Sequence, residues 1–217
     1  MGDSFITIMN IVGSMAFALS GVSLAIRKKM DIFGVIILAV VTATGGGVMR
    51  DIIIGRFPPV AFTDPSYVIF SGIVAIVAFT IVYFIRYQNH SVPSKFLETY
   101  NKANFWFDTL GLAAFTVEGV HAGLLSDESD NLFLLIFLGV ITGVGGGLLR
   151  DIFAIEMPYI FTKHIYAVAA IIGAIVMGIL VLYTPFQTIS MMAGFLIIVC
   201  IRVLAYHFQW NLPKIKL

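Results

Sequence analysis

The chain is 217 residues long, 59% hydrophobic and only 12% charged, with a mean hydropathy of +1.00. A soluble domain carries about twice that share of charge, and a net charge of +1 gives no electrostatic footprint for nucleic acid. Composition therefore points to an all-α, polytopic membrane protein, and a lone Cys200 excludes an intrachain disulfide.

Taken in order, the chain opens on Met1-Gly2-Asp3-Ser4, which lacks the basic region of a cleaved leader, so the first apolar run is expected to stay in the membrane. Runs of about 20 apolar residues, the length that crosses a bilayer, mark seven spans at 5–26, 32–54, 67–87, 105–125, 132–155, 165–183 and 186–206. The polar stretch 88–104, with Pro93, is the natural joint. It divides the chain into a three-helix repeat at 1–87, a cytoplasmic connecting loop at 88–104, a second three-helix repeat at 105–183, and a seventh helix with a cytoplasmic tail at 184–217.

The repeats are legible residue by residue. Gly45-Gly46-Gly47-Val48-Met49-Arg50-Asp51, late in the second span, returns as Gly145-Gly146-Gly147-Leu148-Leu149-Arg150-Asp151 late in the fifth. Asn10, Gly13, Ala16, Phe17, Ser20 and Gly21 of the first span align with Asp108, Gly111, Ala114, Phe115, Glu118 and Gly119 of the fourth. Tyr67 aligns with Tyr166 after the loss of one residue. Three is odd, so the second repeat enters the membrane upside down relative to the first. This is the inverted-repeat plan of many transporters, with the working path at the repeat interface.

Three successive glycines cost a helix about 1 kcal/mol each relative to alanine. Their duplication predicts that helices two and five are broken there, at related depths either side of the membrane middle, with exposed carbonyls able to replace part of a cation's hydration shell. The competing reading is close helix packing, as small residues allow. The expected path residues are Gly45, Gly46, Gly47, Gly145, Gly146 and Gly147, with hydroxyls from Thr42, Thr44 and Thr142 and the symmetry-related Ser20 and Glu118. An intramembrane carboxylate is expensive, which makes Glu118 a functional candidate by default.

Arg50, Asp51, Arg150 and Asp151 are expected at opposite charged mouths. Neighbouring residues on a helix point about 100° apart, so neither Arg-Asp pair is expected to close on itself. Asp108 and His121 are placed near span ends, and span seven with Arg202 at the periphery or a subunit contact. His90, His164 and His207 show no metal-ligand spacing, the glycine runs lack the Lys-Ser/Thr of a nucleotide loop, and no catalytic grouping is visible. No cofactor, metal or enzymatic activity is expected. Arg27, Lys28, Lys29, Arg86, Lys95, Lys102, Lys163, Arg202, Lys214 and Lys216 fall on one side. By the positive-inside rule the N-terminus is outside and the C-terminus cytoplasmic, in a cell inner membrane.

The paired Gly-Gly-Gly-x-x-Arg-Asp and the three-plus-three-plus-one plan resemble the bacterial relatives of the trimeric intracellular cation (TRIC) channels, a group also labelled glycine transporter domain proteins. The resemblance covers nearly the whole chain. It implies a homotrimer among membrane lipids, with one K+/Na+ pore per protomer lined by helices two and five. The animal channels carry Lys-Glu-Val in the fourth helix; here the sequence is Val117-Glu118-Gly119, which speaks against lysine-dependent gating. The alternatives are a secondary transporter of a small solute such as glycine, using the same site, and a non-conducting scaffold.

Overall fold

A computed structural model describes residues 2–88, 94–162 and 165–210. Among these every regular element is a helix: α1 Gly2–Arg27, α2 Ile32–Ile53, α3 Val60–Thr63, α4 Ser66–Gln88, α5 Ser94–Leu124, α6 Leu132–Phe153, α7 Tyr159–Thr162, α8 Tyr166–Tyr183 and α9 Gln187–His207. Six of the seven long helices are apolar enough along their length to cross a membrane. The seventh is α5, whose apolar stretch follows a polar first third. It starts at Ser94, so much of the expected connecting loop is helix. Pro93, His90, Lys163, His164, Lys214 and Lys216 lie outside the described residues.

The duplication is visible in how each helix begins and ends. Asp31 caps α2 by accepting from the Gly34 amide at 2.8 Å, and Asn131 caps α6 by accepting from the Leu134 amide at 3.1 Å. At the other end, the Arg56 amide donates to the Asp51 carbonyl at 2.8 Å and the Glu156 amide to the Asp151 carbonyl at 2.9 Å. This closure needs a residue in the left-handed region. Gly55 supplies it at φ +70°, while Ile155 adopts φ +54° in the second copy.

The centre of the fold is the antiparallel crossing of α2 and α6, flanked by α1 and α5. A Cβ on Gly46 would collide with the Thr142 carbonyl oxygen, and one on Gly146 with the Thr42 carbonyl oxygen. On Gly45 it would meet Leu149 Cδ1 at 2.5 Å, and on Gly145 it would meet Met49 Sδ at 3.0 Å and Gly46 Cα at 3.1 Å. Both helices run through their triplets without interruption, which corrects the expected breaks. The glycines keep their helical hydrogen bonds, and their missing side chains let two backbones touch. The triplets meet each other across the crossing instead of opening separate gaps at different depths.

Leu38, Val35 and Phe17 fill one side of this crossing, and Leu112, Leu135 and Leu138 the other, all buried. Large apolar side chains on the outer faces, such as Phe33, Ile69, Ile76, Phe133 and Leu196, are exposed. Lipid is the solvent such surfaces require. Helix α9, expected at the periphery or a subunit contact, packs on α8 and α5 and buries Ser190, Met191, Gly194, Ile198, Arg202 and Ala205.

Candidate functional site

Each end of the crossing carries a charged cluster. At the first, Arg50 Nε and Nη2 donate to Asp51 Oδ1 at 3.0 and 2.8 Å, and Nη1 donates to Glu118 Oε2. At the second, Arg150 Nε donates to Asp151 Oδ1 at 2.8 Å, while Nη1 donates to Asp108 Oδ1 at 2.8 Å and to Ser20 Oγ. The Arg-Asp pairs do close on themselves, contrary to the angular expectation. A guanidinium arm is long enough to fold sideways over the third glycine. A Cβ on Gly47 or Gly147 would lie 3.7 or 3.6 Å from the Nη2 of Arg50 or Arg150.

The clusters also cross the repeats. Arg50 reaches Glu118 from the second repeat and Arg150 reaches Ser20 from the first, so the aligned pair Ser20/Glu118 occupies related positions. Each Asp has a second task. Asp51 Oδ2 accepts from the Val60 amide at 2.8 Å and Asp151 Oδ2 from the Tyr159 amide at 2.9 Å, tying the short helices α3 and α7 to the ends of α2 and α6.

The two ends differ in access. A cavity of about 100 Å³ opens at the first cluster, lined among others by Asn10, Gly47, Arg50, Glu118, Tyr67 and Asp64. Asp64, exposed at its mouth, accepts from the Ser66 hydroxyl at 2.5 Å and the Ser66 amide at 3.1 Å. Those two bonds, the hydroxyl's first, hold its carboxyl below the usual carboxylate range. At the second cluster Gly147, Arg150, Asp151, Asp108 and Tyr166 are all buried. Arg202 of α9 joins them, with Nη2 3.6 Å from Asp108 Oδ2 and its guanidinium over the rings of Tyr166 at 4.8 Å and Phe105 at 5.1 Å. Between the ends, Phe17 and Phe115 meet edge to face at 5.3 Å.

Several expectations change accordingly. Asp108, at the middle of α5, and His121, in its last turn, are both buried by neighbouring helices. The hydroxyls of Thr42, Thr44 and Thr142 bond back to the carbonyls of Leu38, Val40 and Leu138 at 2.5, 2.9 and 2.6 Å, the usual habit of threonine in a helix. It is the carbonyls of Thr42 and Thr142 that form the crossing. Phe17, Phe115, Tyr67 and Tyr166 were not singled out as site residues, although their repetition in the aligned halves was a signal for them. Arg202 had no such signal, since it has no counterpart in the other repeat.

Fold and site together define a class: a multi-pass, inverted-repeat helical membrane protein with a buried Arg-carboxylate cluster at each end of a central helix crossing. Comparison with known proteins narrows this. A family model described as glycine transporter matches residues 7–83 and 105–182. The inner membrane protein YadS of Escherichia coli is 36% identical over 212 residues, covering 96% of this chain and 95% of that one. The membrane protein YvgT of Bacillus subtilis is 34% identical over 207 residues, covering 95% of each. Among solved structures, one described as showing the structural basis for conductance through TRIC cation channels matches with a TM-score of 0.80 at 33% identity, over 97% of both chains. The TRIC trimeric intracellular cation channel orthologue from Rhodobacter sphaeroides matches with a TM-score of 0.83 at 29% identity, over 94% of this chain and 98% of that one. The chain belongs to this family, as a bacterial relative of the TRIC channels.

Proposed function

We propose that this protein is a passive channel for monovalent cations, K+ and Na+, with one path per protomer of a homotrimer. The observation that carries the reading is the first-repeat cavity. It reaches into the membrane-spanning body and is lined by one guanidinium and three carboxylates, Asp51, Glu118 and Asp64. Polar, net-negative lining at membrane depth is what a permeant cation needs in place of its hydration shell. Similarity to solved cation channels at 28–33% identity over nearly the full chain supports the same reading.

The route runs from this cavity along the α2/α6 crossing to the second cluster. With the termini oriented by the positive-inside rule, the cavity faces outward and the second cluster the cytoplasm. The Phe17–Phe115 contact closes the middle in this conformation and acts as an apolar gate that excludes water. Glycine transport through the same site is the competing reading, prompted by the family's description. A substrate carboxylate, however, needs an available cation, and Arg50 already bonds two carboxylates.

Purified protein in sealed liposomes tests this. Uncoupled K+ flux down a gradient with no other solute is the expected result. Counterflow of labelled glycine without K+ leakage would overturn it in favour of the transporter.

A further inference from the structure

Helix α9 lies outside the duplication, yet it brings the residue that makes the two ends unequal. Aligned partners build both clusters: Gly47 with Gly147, Arg50 with Arg150, Asp51 with Asp151 and Tyr67 with Tyr166. At the first end Gly47 and Tyr67 are half-buried on an open cavity, and no residue of α9 is among its lining residues. At the second end the same set is sealed, with one more guanidinium inside it. Arg202 is 3% exposed, sandwiched by Tyr166 and Phe105.

Charge follows access. The first cluster holds one guanidinium against Asp51 and Glu118. The second holds Arg150 and Arg202 against Asp151 and Asp108, and is balanced. Without Arg202 it would have the charge of the first.

Arg202 Nη2 approaches Asp108 Oδ2 at 3.6 Å, an ion pair without a direct hydrogen bond between these two atoms. Asp108 Oδ2, Arg150 Nη2 and Tyr166 OH are buried with no hydrogen-bond partner among the described residues. Two of these polar groups, with Asp108 Oδ1, surround Gly147, at 3.2 Å for Tyr166 OH, 3.6 Å for Arg150 Nη2 and 3.9 Å for Asp108 Oδ1 from where its Cβ would be.

We infer that Arg202 is a tethered cation that plugs the second-repeat site, standing where a permeant cation would stand. With its guanidinium in place the pocket is neutral and closed. When it leaves with a movement of α9, the pocket opens with one guanidinium to two carboxylates and takes a monovalent cation. The identity of that occupant rests on the cation-channel reading; the plugging itself does not.

The test separates the two. Ser20, buried against Arg150, is replaced by the near-isosteric cysteine in a full-length chain whose exposed Cys200 is changed to serine. The rate of its modification by a small cationic methanethiosulfonate is measured with Arg202 present, with Arg202→Lys and with Arg202→Gln. Arg202→Gln is expected to raise the rate at least tenfold and K+ flux in liposomes several-fold, with Arg202→Lys close to the parent. An unchanged rate in monodisperse Arg202→Gln protein overturns the plug. Arg202→Leu, which removes the charge and keeps an aliphatic stem between the rings of Tyr166 and Phe105, replaces the glutamine variant if that one does not fold, and the same rise is expected. Faster modification without any K+ flux supports the plug and overturns the channel reading.

Discussion

Three consecutive glycines do three different jobs, and each is set by what lies opposite. The first meets an aliphatic or thioether side chain, the second a backbone carbonyl, and the third its own helix's arginine, joined at Gly147 by the Tyr166 hydroxyl. The second collides hardest, because a Cβ on Gly46 or Gly146 would run into a backbone carbonyl oxygen, while the nearest backbone atom to a Cβ on Gly145 is Gly46 Cα at 3.1 Å. Gly46→Ala or Gly146→Ala therefore drives a methyl into a backbone carbonyl and is expected to lower stability by about 1–3 kcal/mol, as overpacking does. Gly47→Ala finds Arg50 Nη2 at 3.7 Å, ordinary contact, and is expected to leave stability unchanged or raise it by up to about 1 kcal/mol through helix propensity. Thermal unfolding of the detergent-solubilised variants checks both. Equal losses at 46 and 47 would mean that the close approach is not what the triplet is for.

At the scale of elements, the two Arg-Asp pairs act as clamps that join a long helix to the one-turn helix beyond it. Asp151 accepts from Arg150 and from the Tyr159 amide in a site almost closed to solvent. Asp51 makes the equivalent bonds beside an open cavity. Removing a carboxylate strands its partners, but water can reach those at the cavity. Asp151→Ala is expected to cost about 3–5 kcal/mol, the usual penalty for breaking a buried pair. Asp51→Ala is expected to cost clearly less, since solvent can replace the lost acceptor. Denaturant or thermal midpoints of the two variants measure the difference, and equal losses would argue against the asymmetry of access. The same asymmetry explains why α9 matters: the duplication supplies both clusters, and the unduplicated helix closes one.

For the whole molecule, the distribution of charge counts more than its net value of +1. Asp64 stands at the mouth of the cavity leading to Asp51 and Glu118, and its bonds to Ser66 keep it ionised to lower pH than a free carboxylate. An exposed charge at a mouth raises the local concentration of counter-ions over about a Debye length, ~10 Å at 0.1 M salt. Asp64→Asn is expected to reduce K+ flux about twofold at 10 mM salt and hardly at all near 1 M. A deficit that persists at high salt would show that Asp64 contacts the ion directly. Loss of the carboxylate's low pKa works in one direction: in Ser66→Ala the acid fall in low-salt flux is expected to move to higher pH, and in the Asp64→Asn background the same change is expected to have no effect.

The sequence by itself determined the membrane class, the spans and the inverted duplication, because each is written in local hydrophobicity and in residues repeated at fixed offsets. It also brought the right charged residues into view, since Arg, Asp and Glu within apolar runs are costly wherever they point. Tertiary structure decided what those residues do. Whether Gly45–Gly47 break a helix or let two helices touch depends on what lies opposite, and the opposing surface is α6, about one hundred residues away. That Glu118 meets Arg50, and that Asp108 is buried between Arg150 and Arg202, follows from helix rotation and packing, which no local pattern encodes. Arg202 is the clearest case. On its own helix it is one cation near a span end, and only the seating of α9 on α5 and α8 makes it the charge that closes the second site.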